Sequence, residues 1–417
     1  MTRLQRFREL IARMDPIATP ESRLEFYVEP PQNSLSNEIA SRFELEPAAS
    51  QALVGGIGTG KSTEVLRAVK RIQTAVSELP DHATYVDVSR HHVLDGHRPG
   101  VLVALVAVIL EGLASKVGRK KSSSLITLLN FARGHTTWEV DPSYFGYSED
   151  DHEPNFDEPD ADPGPPEIPV QHEGVLQPPV SATPNSLGHL VEPLRSALAD
   201  EFQSGGSLFV AFDGLDRLAT EAFKTMVLDD IRVLKRAGVG VLVVAPGRAA
   251  FGHERTLLDL FDRVHQRPAF DISQEGVVKF LRDVLTKRAP DHWVLADEVT
   301  SQLARLSSGF LRDLLALARD SAESAYVAGR ENITLEDVTR AGTRYGESLA
   351  FGTSDAELAV MRKVIRSSRL VVRGALEAGL VDRRALVPYA GPQSERWAVH
   401  AALQDVLQRS GSLGVEK

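Results

Sequence analysis

No cysteine occurs anywhere in the 417-residue chain, which excludes a thiol nucleophile, a thiolate metal site and any disulfide framework, and fits a reducing compartment. Long apolar runs are missing too. The longest, Val101 to Leu110, is closed by Glu111 and falls far short of the ~20 residues a membrane-spanning helix needs. The N-terminal MTRLQRFRELIARMD lacks the uninterrupted apolar core and small-residue cleavage site of a signal peptide. A cytoplasmic protein with no membrane partner is therefore expected. Basic residues are absent from one long stretch: between His135 and Leu194 there is no Lys or Arg, against thirteen acids. The formal net charge of -10 is thus local, the rest of the chain carries a small positive balance, and no partner follows from global charge.

What is present is ordinary for a globular protein, 42% hydrophobic and 25% charged residues, with length enough for two or three domains. β-Branched runs at Gln51–Val54, Thr84–Val88, Leu208–Phe212, Val239–Ala245 and, more weakly, Ala269–Ile272 alternate with helical patterns. That alternation predicts an α/β fold with a doubly wound, mostly parallel sheet. From Ser273 the strand signal vanishes and helices follow over 274–288, 295–306 and 310–327, then one opened by Thr334 with Asp337 in capping-box position. Ser354 to Leu407 reads as two or three helices and a hairpin flanking AGPQ, the outline of a winged helix. No internal repeat is visible. The expected organisation is an N-terminal helical or linker segment (1–47), an α/β core (48–272), a helical lid (273–350), a winged-helix-like domain (351–410) and a tail (411–417). The core carries an acidic, proline-rich insertion over about 134–186, expected to be disordered because it holds too few large apolar residues to offset its ordering entropy. Just before it, Lys116, Arg119, Lys120 and Lys121 form a small basic cluster, either a solvated helix end or a contact for the acids or for a nucleic acid.

The strongest motif is GGIGTGKS after the strand QALV, where Gly55, Gly60, Lys61 and Ser62 match G-x-x-x-x-G-K-[ST] at the mouth of a helix. Such a loop wraps a nucleotide's β-phosphate in backbone N–H groups, so Gly55, Gly56, Ile57, Gly58, Thr59, Gly60 and Thr63 are candidate nucleotide contacts. Lys61 reaches the β- and γ-phosphates, and the Ser62 hydroxyl ligates Mg²⁺. The core is thus expected to be a P-loop NTPase. SLFVAFDGLD ends a strand in Asp213, the expected magnesium-side acid; Gly214 follows it, which leaves Asp216 as the nearest candidate base. GVGVLVVAPGR ends in Arg248, a candidate γ-phosphate sensor. In the lid, Arg312 of SGFLRD opens a helix that can lean on the nucleotide, and Arg263 and Arg267, ahead of the expected fifth strand, are candidate fingers for a neighbouring subunit. His400, in RWAVHAALQDVL, reads on local grounds as a packed or capping residue.

Together these motifs resemble the STAND class of P-loop ATPases, signal-transducing relatives of AAA+ proteins, over roughly residues 20 to 407. Asp213, Gly214 and Asp216 look like the class's D-G-x-D pattern. Val399 and His400 look like its winged-helix methionine-histidine-aspartate element, with Ala401 in place of the aspartate. That resemblance implies that His400 contacts the β-phosphate of ADP and locks a closed state. The stretch GFLRD is closer to the sensor arginine of origin-recognition-type AAA+ proteins, while FYVEPP and W-x-V-H resemble components of bacterial conflict or antiphage systems. The implied function is an ATP-dependent signalling or assembly switch that binds ATP or ADP with Mg²⁺, hydrolyses slowly, forms homo-oligomers on ATP binding and controls a separate effector or sensor protein. The rivals are an AAA+ regulator or loader on DNA, with Arg369 or Arg373 touching phosphates, and an ATP-binding scaffold with little turnover.

Overall fold

The computed structural model describes residues 1–17, 21–31, 34–74, 82–90, 98–134, 187–202, 205–251, 258–291, 293, 295–389 and 396–412. The acidic insertion and the AGPQ turn lie outside the described residues.

Five parallel strands form the central sheet: β1 (Ser50–Gly55), β2 (His82–Asp87), β3 (Leu208–Asp213), β4 (Gly240–Val244) and β5 (Arg263–Arg267), in the spatial order β2-β3-β4-β1-β5. Period-two alternation divides their side chains between two faces. Val210, Phe212, Val241 and Val243 pack against α4 (Val101–Lys116), α5 (Ser123–Ala132), α6 (Val191–Glu201) and α7 (Thr220–Ala237). Phe209, Ala211, Leu242 and Val244 pack against α2 (Leu35–Leu45) and α3 (Lys61–Thr74). The fold is therefore α/β and doubly wound. The apolar run at Val101 forms α4, an interior helix whose first amides are received by the buried Asp230 carboxylate at 2.6 Å from Gly100 N and 2.6 Å from Leu102 N. Among the described residues no helix is long and apolar enough to cross a membrane.

The fifth strand departs from the sequence expectation. It is RVHQR rather than Ala269–Ile272, because an edge strand beside β1 needs only one buried face and its exposed positions can be charged. Ala269 instead makes a single bridge to Tyr389.

Past the sheet, α8 (Glu275–Arg288), α9 (Asp297–Leu306), α10 (Leu311–Val327) and α11 (Leu335–Ala350) share one apolar core. Thr334 and Asp337 form the expected capping box. The N-terminal helix α1 (Arg3–Arg13) belongs to this core: Phe7, Leu10 and Met14 are buried in it, and Phe7 meets Trp293 edge-on at 4.9 Å. The first residues thus complete this helical core rather than lead into the sheet. The last elements are α12 (Asp355–Ser367), α13 (Ala375–Asp382), the antiparallel pair β6 (Leu386–Tyr389) and β7 (Arg396–Val399), and α14 (Ala401–Arg409), around Met361, Leu386, Trp397 and Leu403.

Candidate functional site

Because all five strands run the same way, their C-terminal ends share one edge, and the chemistry collects there. The glycine-rich loop leaves β1 and opens α3. Gly55 lets the β5 backbone approach, since a Cβ there would lie 2.2 Å from the Arg267 carbonyl oxygen. Gly58, at φ +88°, lets the lid approach, since its Cβ would lie 2.6 Å from Arg312 Cβ. Either position closes against any larger residue.

Lys61 is 5% exposed and donates to the carbonyls of Gly55 and Gly56 at 3.0 Å each. Its third partner is Asp216 Oδ2 at 3.0 Å. These are oxygens that a phosphate group can replace. The Ser62 side chain faces the Asp213 carboxylate across the cavity floor, and Asp213 accepts from Tyr85 Oη at 2.8 Å and from Gly214 N at 2.7 Å. Burial raises the Asp213 pKa, its hydrogen bonds oppose that shift, and the Asp216 charge adds to it. A hydroxyl facing a carboxylate at a helix N-terminus is a hard-oxygen pair suited to Mg²⁺, which takes one or two such ligands and completes its shell with phosphates and water. Ser62 and Asp213 would hold that ion.

These groups line a cavity of about 350 Å³. Its floor holds Gly58, Gly60, Lys61, Ser62, Thr63 and Asp213; its roof is Phe280, Arg288, Leu311 and Arg312 of the lid; and Asp15 with Phe26, Tyr27 and Val28 closes the side. Arg312 reaches over the loop, donating its backbone N–H to Gly58 O at 3.3 Å. Burial lowers its pKa, reinforced by the positive charges of Arg384 and Arg217. Ile57 lies at the rim, and Thr59 is turned inward with Oγ1 on Gly56 O at 3.0 Å.

Four expectations change. Arg248 does not line this cavity: the turn after Pro246 sends it toward the C-terminal elements, where it pairs with Asp382 beside an adjoining cavity of about 760 Å³ that shares Ile57, Asp216, Arg217 and Arg267 with the first. His400 does not reach the cavity either. It is fully buried, with Nε2 3.3 Å from Asp313 Oδ2 and its ring stacked on Phe310. The helix start that follows His400 seats the ring behind the lid helix, so the β-phosphate contact implied by resemblance is not formed. Arg267 points into its own subunit, with Nε on Thr59 O at 3.3 Å and its guanidinium 3.5 Å from the buried Glu64, which removes it as a finger for a neighbour; Arg263 stays exposed on the edge strand. Asp216 is placed at the site, but as the counter-ion of Lys61.

Asp87, Tyr85 and Arg217 also line the cavity and were not anticipated. Asp87 had a visible signal, since YVD ends β2 in an acid just as FVAFD ends β3. Tyr27 and Arg288 had none.

No family model matches the chain, and no curated protein matches it in sequence. Solved structures similar to it include the Aeropyrum pernix ORC2 protein in its ADP form, at 13% identity and TM-score 0.45, covering 94% of this chain and 97% of that one. Drosophila ORC bound to DNA is similar at 12% identity and TM-score 0.44, covering 97% and 91%. Pyrobaculum aerophilum Cdc6p is similar at 11% identity and TM-score 0.43, covering 96% and 98%.

Proposed function

We propose that the chain is an ATPase of AAA+-like build that binds ATP with Mg²⁺ between sheet edge and lid and uses nucleotide state to set the position of its C-terminal elements. One observation carries this reading: Lys61, the Ser62–Asp213 pair and Arg312 converge on a single cavity from three separate parts of the sequence. Bound magnesium would supply charge neutralisation for the phosphates. Lys61 exchanges its carbonyl and carboxylate partners for phosphate oxygens, the loop amides surround the β-phosphate, and Arg312 adds positive charge from above. Hydrolysis is slow in this reading, because Gly214 rather than an acid that polarises water follows Asp213; Asp87, across Gly214 from Asp213, is the acid that would orient water.

The finer reading, a STAND-type switch for a separate effector in antiphage defence, rests on the D-G-x-D pattern and on the FYVEPP and W-x-V-H likenesses once His400 is placed outside the cavity. A second reading, an ATPase that regulates or loads on DNA, has a specific observation in its favour. Lys363, Arg366, Arg369 and Arg373 are all exposed, and no acid interrupts the chain from Leu358 to Leu376. Such a strip matches a phosphate backbone.

The test is calorimetric titration of the purified chain with ATP and ADP, with and without Mg²⁺, alongside phosphate release with and without duplex DNA. A folded chain that binds neither nucleotide ends the ATPase reading. Stimulation by DNA that fades steeply with salt supports the second reading over the effector switch.

A further inference from the structure

Four consecutive residues, Phe310 to Asp313, touch two different parts of the molecule. Toward the glycine loop they leave no room. A Cβ on Gly56 would lie 3.0 Å from Phe310 Cε1, one on Gly60 3.0 Å from Leu311 Cδ1, and one on Gly58 2.6 Å from Arg312 Cβ. Toward the C-terminal elements, Asp313 is 1% exposed and holds both Arg384 and His400. Phe310 packs with Val387 and Tyr389 of the hairpin, and Tyr389 Oη donates to Ser308 O at 3.1 Å. Ala401 N donates to Ser308 Oγ at 2.6 Å.

The backbone marks the same junction. Three non-glycine residues among those described have positive φ, and two of them, Ser308 at 50° and Arg384 at 64°, stand on either side of this contact. A side chain held in that region costs free energy and persists where its surroundings demand the placement. Both residues follow the last turn of a helix, Ser308 with its N–H on Arg305 O at 3.2 Å and Arg384 with its N–H on Val381 O at 3.0 Å, the left-handed position at which helices end, so each helix end delivers its residue to this contact.

We infer that Asp313 and Arg384 are positioning residues for Arg312: by clamping the first turn of α10 from behind, they hold Arg312 over the phosphate loop and join the nucleotide cavity to the C-terminal hairpin. This rests on reading the cavity as a nucleotide site. Asp313 and Arg312 are neighbours on one helical turn, projecting about 100° apart, one toward the C-terminal elements and the other toward the glycine loop, so a shift of the turn displaces both. Coupling travels through contiguous packed contacts, and this turn makes them toward both the glycine loop and the C-terminal hairpin.

A double-mutant cycle on the full chain tests the inference. Arg384→Gln is expected to weaken ATP binding about tenfold in an otherwise native chain. In an Arg312→Gln background it is expected to change affinity by less than about twofold, because the route through Arg312 is gone. Arg384→Lys, which keeps the charge, should recover most of the loss. Equal losses in both backgrounds would mark the pair as a purely structural contact and overturn the inference. A second arm needs no nucleotide. In the nucleotide-free chain, Arg384→Gln should speed hydrogen exchange at the amides of residues 310–313 more than in the rest of α10, and unchanged exchange there overturns the inference as well. If the native chain binds no ATP, the nucleotide reading fails, and the exchange measurement alone decides whether the clamp exists.

Discussion

Two clusters of charge lie back to back across the start of α10, and they are built differently. In the cavity, Lys61 rests on two backbone carbonyls and the Asp216 carboxylate, beside a cavity of about 350 Å³. Behind the helix, Asp313 is enclosed by Arg384, His400 and the Tyr345 ring, with Phe310 stacked on the histidine. The first set has partners that a ligand can displace, and room for one. The second has partners supplied once, by folding, and is buried. A buried charge with an exchangeable counter-ion marks a binding site, whereas one with a fixed counter-ion holds the architecture in register.

Removing the cation from the exchangeable cluster should have the largest effect. Lys61→Ala is expected to lower phosphate release about a thousandfold and weaken ATP binding, since the ammonium meets charge that builds on the transferred phosphoryl group. Its thermal midpoint should stay close to native, because Asp216 is then free to turn toward solvent. Phosphate-release assays with a melting curve check both, and native turnover in a folded variant would remove the cavity's assigned role. Breaking the fixed cluster should do the reverse. Asp313→Ala leaves Arg384 and His400 without their acid, and a loss of about 3 kcal/mol in denaturant unfolding is expected. A loss near zero would erase the contrast between the clusters.

A third buried acid sharpens it further, because its partners are dipoles. Asp230 is fully buried, receives three backbone amides at the head of α4, and is lifted by that burial to about 7. Its folded pKa therefore lies above its ordinary 3.8. The folded chain holds a proton there that the unfolded chain has released. The stabilisation is complete below the ordinary value and is lost as pH rises toward 7, with a slope of about 1.4 kcal/mol per pH unit in that window. Asp230→Asn should flatten that part of the stability-pH curve. An unchanged slope in urea titrations at several pH values would show that three amides are counter-charge enough.

The two clusters also differ in how legible they were. The loop, Lys61, Ser62 and Asp213 stand in contiguous motifs whose spacing is itself the geometry, and the first four strands are apolar runs that their burial requires. The fixed cluster draws Arg384 to Asp313 across 71 positions and His400 across 87, and no local pattern records such a meeting. The same reason hid Tyr27 and Arg288 from the cavity's wall. Arg248 and His400 were misplaced because a strand or helix end tells that a residue lies at an edge, not which neighbour that edge faces. The fifth strand lies a few residues earlier than expected for another reason: the inward positions of Arg263 to Arg267 are the polar His265 and Arg267, partnered by Gln51 and Glu64, whereas the more apolar Ala269 to Ile272 reads as the better strand.

The smallest expected effect separates two roles for one carboxylate. As the general base suggested by sequence, Asp216 would be needed for turnover, and Asp216→Asn would lower kcat with little change in ATP affinity. As the counter-ion the structure displays, with Oδ2 3.0 Å from Lys61 Nζ, it competes with phosphate for the ammonium. Removing its charge then releases Lys61 at no cost to the ligand, and ATP should bind about fivefold more tightly, the size of a partly exposed ion pair. The gain should shrink at high salt, which weakens the native pair as well. Calorimetry on the native chain and on D216N at two salt concentrations reads the affinity, and phosphate release from the same samples reads the turnover. Tighter binding with turnover kept makes Asp216 an exchangeable partner and leaves Asp87 to orient water; unchanged affinity with lost turnover returns Asp216 to the chemistry and would mean that the Lys61 pair is incidental to binding.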